Sequence, residues 1–264
     1  MTRWAVKLEY DGTGFVGWQI QNNGLSVQQL FEEAAARIAG APVSSICAGR
    51  TDAGVHAEGQ VAHIDLDRDM TATSLAASLN YHLKPHSVVV RQAAIVPPDF
   101  SARFSATGRA YRYTILNRRA RPALLLNRVW HVPAPLDAGA MAQGAALLLG
   151  RHDFSSFRAA SCQAKSPLRT LDRLDVERSG EIITIIAEAR SFLHHQVRNM
   201  VGTLRMVGDG RWPPERMAQT LAACDRRQAG PTAPPEGLTL TGVRYLPDPF
   251  GTSGSTFAEN SGVG

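Results

Sequence analysis

Near the start of the chain, Trp4, Val6, Leu8 and Tyr10 alternate with Ala5, Lys7 and Glu9. A period of two predicts a strand with one buried face. A Gly-rich turn over 11–17 follows, and the period then changes. Val27, Leu30, Phe31, Ala34 and Ile38 fall on one helical stripe. Ser26 is placed as its N-cap, and Gln29 completes a capping box. Leu25 and Leu30 suit a hydrophobic staple, and Gly40 is the stop signal. The pattern predicts a strand over 61–66, a helix over 71–81 and a strand over 87–96.

The same mixture recurs further on. A strand is expected over 109–116, with Tyr111, Tyr113 and Ile115 on one face. A helix over 137–149 follows. Strands over 171–178 and 181–189 flank Ser179-Gly180, a hairpin signal. Helices are expected over 192–206 and 214–223, the second opened by proline. A strand over 238–246 comes last, before a Gly/Ser-rich tail over 250–264 that is expected to be disordered. Hairpin-linked strands with interspersed helices predict an α+β fold with mainly antiparallel sheets. The expected divisions are an N-terminal half over 1–105, a C-terminal half over 106–247 and a flexible tail over 248–264.

Composition narrows the setting. In 264 residues, 44% are apolar and 19% charged, which suits a globular chain that can bury a sizeable core. No apolar run reaches the length of a membrane span, and the alternating N-terminus does not read as a signal peptide. Cys47, Cys162 and Cys224 are few and widely spaced, which argues against a disulfide framework or a structural zinc site and for a cytoplasmic setting.

The net charge is +5, and its distribution matters more than its sum. Between Asp99 and Asp137 there is no acid, while Arg103, Arg109, Arg112, Arg118, Arg119, Arg121 and Arg128 are interleaved with Phe104, Tyr111 and Tyr113. That pattern suits phosphate contacts with base stacking, and it equally suits a solvated basic face.

Gly12-Thr13-Gly14-Phe15-Val16-Gly17 spells a dinucleotide fingerprint after a strand. Such a site needs a helix starting at its glycines. Here the turn signal Asn22-Asn23-Gly24 intervenes, so a turn allowing close backbone approach is the better reading.

The chemistry concentrates in the polar, Gly-rich stretch from Ala48 to Gln60. Arg50 and Asp52 stand two apart, so in an extended loop they share a side. A carboxylate beside an arginine favours its ionised form and can attack a glycosidic carbon. A structural Arg–Asp pair in a turn is the alternative from spacing alone.

Gly49-Arg50-Thr51-Asp52-Ala53-Gly54-Val55-His56 resembles the signature loop of the TruA family of pseudouridine synthases. Five further stretches resemble family motifs in order: Glu9 to Phe15 with Gly17-Trp18-Gln19; Phe104-Ser105-Ala106 with Arg112-Tyr113; Phe154-Ser155-Ser156-Phe157; Phe192 to Gly202; and Glu236-Gly237-Leu238 with Leu240. The matches extend to about Tyr245. Gln196 stands where the family often has methionine, and Thr239 where an aromatic is common.

The resemblance implies an isomerase that converts uridine to pseudouridine within tRNA, at positions thirty-eight to forty of the anticodon arm. It implies no cofactor and no metal, a homodimer, and two ferredoxin-like halves sharing a central sheet. By the same resemblance, Asp52 is the nucleophile, Arg50 helps flip the target base, and Tyr111 stacks on that base. Arg198, on the late helix, could reach the cleft and pair with Asp52. Arg109 and Arg112 are expected to bind the RNA. Tyr113 is expected to pack in the core. His194 and His195, read as helical neighbours about 100° apart, are expected in packing or RNA contact. His56 and His63 are too isolated to suggest a metal. A non-catalytic RNA-binding protein and a two-carboxylate glycosidase, with Glu58 or Asp11 as the second acid, are the rival readings.

Overall fold

The computed structural model describes residues 1–251; of the expected flexible tail over 248–264, residues 252–264 lie outside the described residues. The chain forms an α+β fold of two compact units, Met1–Arg109 with the chain from Leu240 on, and Ala110–Thr239.

The first unit runs β1 (Thr2–Tyr10), α1 (Val27–Ala39), β2 (Ile46–Cys47), β3 (His56–Leu66), α2 (Ala72–Leu83) and β4 (Val88–Ile95), the β-α-β-β-α-β succession of a ferredoxin-like unit. Strand β1 pairs antiparallel with β3, Val6 opposite Ala62, and with β4, Val6 opposite Ala93. Trp4, Val6, Leu8 and Tyr10 are buried as the alternation predicts, and α1 adds Val27, Phe31 and Ala34 to the core. The Ser26 hydroxyl caps α1 by accepting from the Gln29 amide, 3.1 Å away. The return half of the expected capping box does not form, because the Gln29 side chain donates to Glu33 one turn on. Gly40 ends the helix in the left-handed conformation at φ 73°. Thr71 caps α2. Strand β3 begins five residues before the apolar run suggests, because Ala57 and Gln60 are also buried and paired with β1.

The second unit contains β5 (Gly108–Leu116), β6 (Trp130–His131), α3 (Ala138–Ala146), β7 (Gly150–Asp153), β8 (Leu168–Ser179), β9 (Ile182–Ala189), α4 (Gln196–Gly208) and α5 (Arg216–Ala223), and the chain closes on β10 (Leu238–Arg244). Strands β8 and β9 form the expected hairpin, Ser179 opposite Ile182, with Gly180 at φ 60°. Within the first unit the described strands run in the order β4-β1-β3 with β2 beside β3, all antiparallel, and within the second they run β5-β9-β8-β7, with β7, β8 and β9 antiparallel and β6 parallel to β5. Tyr113, Ile115, Ile183, Ile185, Phe154, Phe157, Met200 and Leu204 are buried in the second unit.

Helix α4 departs from expectation. It starts at Gln196 rather than Phe192, because His195 sits at φ 62° in the left-handed region. The buried Gln196 side chain turns back to accept the Leu193 amide at 2.8 Å, a contact that an apolar side chain at this position could not make. His194 and His195 therefore precede the helix, and their rings lie 4.0 Å apart instead of diverging around it.

Candidate active site

In the first unit the loop between β2 and β3 carries Arg50, Thr51 and Asp52. The chain pins it at successive residues. The Ala48 amide donates to Val61 (2.7 Å), and the Ala48 carbonyl accepts from Arg109 Nη2 (2.8 Å). Gln60 Nε2 donates to the Gly49 carbonyl at 2.7 Å. The Thr51 hydroxyl lies 2.8 Å from the Tyr10 hydroxyl, itself reached by Gln60 Nε2 at 3.4 Å. The Thr51 carbonyl accepts from the Trp18 amide at 3.0 Å. Val55 then donates to the Asp52 carbonyl at 3.1 Å, closing a tight turn with Gly54 at φ 77°.

These bonds explain the Gly-rich turn after β1. A Cβ at Gly12 would fall 2.1 Å from the Val55 carbonyl oxygen, and one at Gly17 would fall 2.6 Å from that of Thr51. Gly17 also has φ 103°. The Gly12 amide donates to His56 Nδ1 at 3.0 Å. The apparent dinucleotide fingerprint is thus the bed on which the Asp52 loop lies. Thr51 is buried, Asp52 half-buried and Arg50 exposed. With Thr51 turned inward, alternation along an extended backbone directs the residues on either side of it the other way. Beneath the loop, burial pushes the Cys47 thiol up to about 12, so it stays protonated and inert.

Arg109 is buried, 7% exposed. Besides Ala48, its guanidinium donates to the carbonyls of Arg103 (2.8 Å) and Ala106 (3.4 Å). It therefore ties the start of β5 to the root of the loop within the first unit. The other arginines of the acid-free stretch are dispersed. Arg103 lies over the Phe104 ring at 5.3 Å, Arg118 pairs with Glu181 at 2.9 Å, and Arg119 and Arg121 are exposed or nearly so.

In the second unit, Tyr111 on β5 is 9% exposed and meets Phe192 edge-on, ring centres 5.3 Å apart. Arg112 beside it is half-buried. Tyr113 is fully buried, and its hydroxyl donates to the Pro234 carbonyl at 2.8 Å, so its packing role is as expected. Arg198 on α4 is half-buried and donates through Nε to the Ala233 carbonyl at 2.8 Å, while the Ala233 amide returns a bond to the Arg198 carbonyl at 3.0 Å. Gly202, on the same helix, admits this segment: a Cβ there would lie 1.7 Å from the Pro231 carbonyl oxygen. Asn199 is fully buried and bridges Phe157, Arg226 and Thr232. The late motif thus anchors α4 to the 226–233 segment.

A model of the tRNA pseudouridine synthase family matches residues 6–105 and 145–246. The chain belongs to that family. A tRNA pseudouridine synthase A of Acidiphilium cryptum is 65% identical over 95% of this chain and 99% of its own length. Its counterpart in Paramagnetospirillum magneticum is 61% identical over 93% and 96%, and that of Gluconobacter oxydans 57% identical over 96% and 93%. The matched spans of the family model include both the Asp52 loop and the α4 motif.

Tyr10, Thr51, Gln60 and Arg109 emerge from the structure as the residues that hold the loop. Gly12 and Gly17 were the signal in the sequence, since glycines in one turn permit another segment to approach the backbone closely. Which segment that is depends on tertiary pairing. Among the described residues no helix is long and apolar enough to cross a membrane.

Proposed function

We propose that this chain forms pseudouridine in tRNA by isomerising uridine, that its targets are positions thirty-eight to forty of the anticodon arm, and that Asp52 is the nucleophile. The supporting observation is a loop pinned at Ala48, Gly49, Thr51 and Asp52 that leaves one half-buried carboxylate at its turn, in a chain of this family.

The reaction breaks the bond from uracil N1 to ribose C1′ and makes one from C5 to C1′. The C5 hydrogen leaves as a proton and N1 gains one, so no electrons are exchanged. A fixed carboxylate serves this by attacking an electrophilic carbon and later leaving it. Preorganisation matters because a displaced nucleophile loses much of its effective concentration. The target base must leave its stack, at a cost of about a few kcal/mol. In this reading Tyr111 offsets that cost by stacking, Arg50 assists the flipping of the base, and Arg112 binds the RNA. Arg198 is, in this reading, the arginine that pairs with Asp52. Arg109 serves the substrate from beneath, by holding the loop. The enzyme works as a homodimer on this reading, which light scattering of the purified chain tests.

The site is tested by incubating an unmodified tRNA transcript with the enzyme, derivatising pseudouridine with carbodiimide and reading primer-extension stops. Stops confined to positions thirty-eight to forty are expected. Stops elsewhere would overturn the site assignment, and release of free uracil would favour a glycosidase.

A further inference from the structure

His56 is a buried imidazole, 6% exposed, at the first residue of β3. Strand register brings it to the Gly-rich turn of the same unit. Tyr10, the last residue of β1, stands opposite Ala57, so one further step along each strand sets Asp11 beside His56. The Gly12 amide donates to His56 Nδ1 at 3.0 Å. Asp11 Oδ1 lies 3.1 Å from the same nitrogen and also accepts the Thr13 amide at 3.0 Å. The two contacts use Nδ1 in opposite senses and are alternatives. With a lone pair there it accepts from Gly12; with a proton there it pairs with the Asp11 carboxylate. Both partners belong to one turn, so the imidazole holds that turn in either state.

The turn that carries Asp52 thereby has an anchor at each end. Ahead of Asp52, Thr51 meets the Tyr10 hydroxyl at 2.8 Å, and its carbonyl accepts from Trp18 at 3.0 Å. Behind it, the Val55 amide bonds to the Asp52 carbonyl at 3.1 Å. The Val55 carbonyl lies so near Gly12 that a Cβ there would fall 2.1 Å from its oxygen. Between the anchors stand only Ala53, which is exposed, and Gly54 at φ 77°. Steric contact at Val55 limits how near the two backbones come and does not hold them together. A hydrogen bond does, and His56 supplies it at the adjoining residue. The β1–β3 ladder does not reach this far, because its last pair is Tyr10 with Ala57.

We infer that His56 is a positioning residue for Asp52: through Nδ1 it fixes the exit of the turn that carries the carboxylate. The inference rests on Asp52 being the nucleophile. His56 acts through the backbone of Gly12 and Val55, not on the substrate. A reacting group misplaced by about 1 Å can lose roughly a hundredfold in rate, and the loss belongs to kcat because the contacts that bind tRNA are unchanged. The position of the polar atom decides the effect. Asn sets an amide oxygen or nitrogen near the place of Nδ1, Gln reaches instead to the place of Nε2, and Leu offers no polar atom.

The test compares wild type with His56→Asn, His56→Gln and His56→Leu. It measures kcat, KM and tRNA affinity, and it follows hydrogen exchange of the Gly12 amide, which reports the bond without turnover. His56→Gln and His56→Leu are expected to lower kcat by about tenfold to a hundredfold, with KM and tRNA affinity those of wild type and faster exchange at Gly12. His56→Asn is expected to restore most of kcat and the slow exchange. The Asn and Gln variants decide the matter even where His56→Leu fails to fold, since both keep a polar side chain. Wild-type kcat in His56→Gln, an equal loss in His56→Asn and His56→Gln, or a loss that falls on KM and affinity would overturn the inference. Wild-type enzyme that shows the expected exchange pattern but forms no pseudouridine would overturn the isomerase reading and leave the His56 anchor standing.

Discussion

Two regions use arginine in opposite ways. In the Asp52 loop, Arg109 is buried and its donors are directed at the carbonyls of Ala48, Arg103 and Ala106. On β7 of the second unit, Arg151 is exposed. The first arrangement fixes backbone, and the second leaves the charge in solvent. A pinned loop suits chemistry at one carbon, because it holds the reacting groups in one geometry. Residue type alone does not separate the two roles; burial and acceptors do.

Substitutions can break this contrast. The largest effect is expected at Asp52. Asp52→Asn should lower kcat by at least about a thousandfold while leaving tRNA affinity and folding intact, since the group acts at the reacting atoms. A calorimetric scan and a binding titration check the two invariants.

Removing the loop's support should act on stability as well as turnover. Arg109→Met leaves the buried Ala48 and Ala106 carbonyls and the part-buried Arg103 carbonyl without their charged donor, an expected loss of about 2–4 kcal/mol in urea unfolding. Turnover should fall without a change in the salt slope of binding, because the buried guanidinium faces backbone carbonyls. Gly17→Ala places a methyl against the Thr51 carbonyl at a left-handed φ, an expected loss of about 1–3 kcal/mol with reduced kcat. Tyr10→Phe removes one hydroxyl from the Thr51–Gln60 network and should cost about 1 kcal/mol.

The smallest effect is a pH dependence. Burial holds the His63 pKa below its ordinary value of 6.5, and Arg3 pushes the same way. Its Nδ1 accepts the Ala102 amide at 3.1 Å, which requires the unprotonated atom. A depressed histidine pKa means that the unfolded chain binds the proton more readily. Stability from this group is therefore present above the unfolded pKa and is lost as pH falls below about 6.5. Unfolding midpoints of wild type and His63→Gln should converge as pH is lowered through that range.

Much of the fold was legible because its signals are local. Ser26, Gly40, Thr71 and Asp137 cap or stop helices where a few neighbouring residues decide the outcome. The β8–β9 hairpin announces itself at Ser179-Gly180. What was not legible depends on distant partners. The short strands β2, β6 and β7 exist only through their pairing. The start of α4 is set by the left-handed His195 and the inward Gln196 side chain, although the apolar stripe reads on through Leu193. At the candidate site, Asp52 stood out by its loop and Tyr113 by its strand face. The bed formed by Gly12 and Gly17, and the burial of Arg109, follow from the closeness of segments far apart in the sequence, such as Gly17 and Thr51 or Ala48 and Arg109.

The central claim is that Asp52 catalyses uridine isomerisation. Tritium release from tRNA transcribed with 5-tritiated uridine tests it most directly, because the C5 hydrogen must depart when C5 becomes the glycosidic atom. Wild type is expected to release tritium, and Asp52→Ala, folded and still binding tRNA, to release none. Release at the wild-type rate by Asp52→Ala would contradict the account.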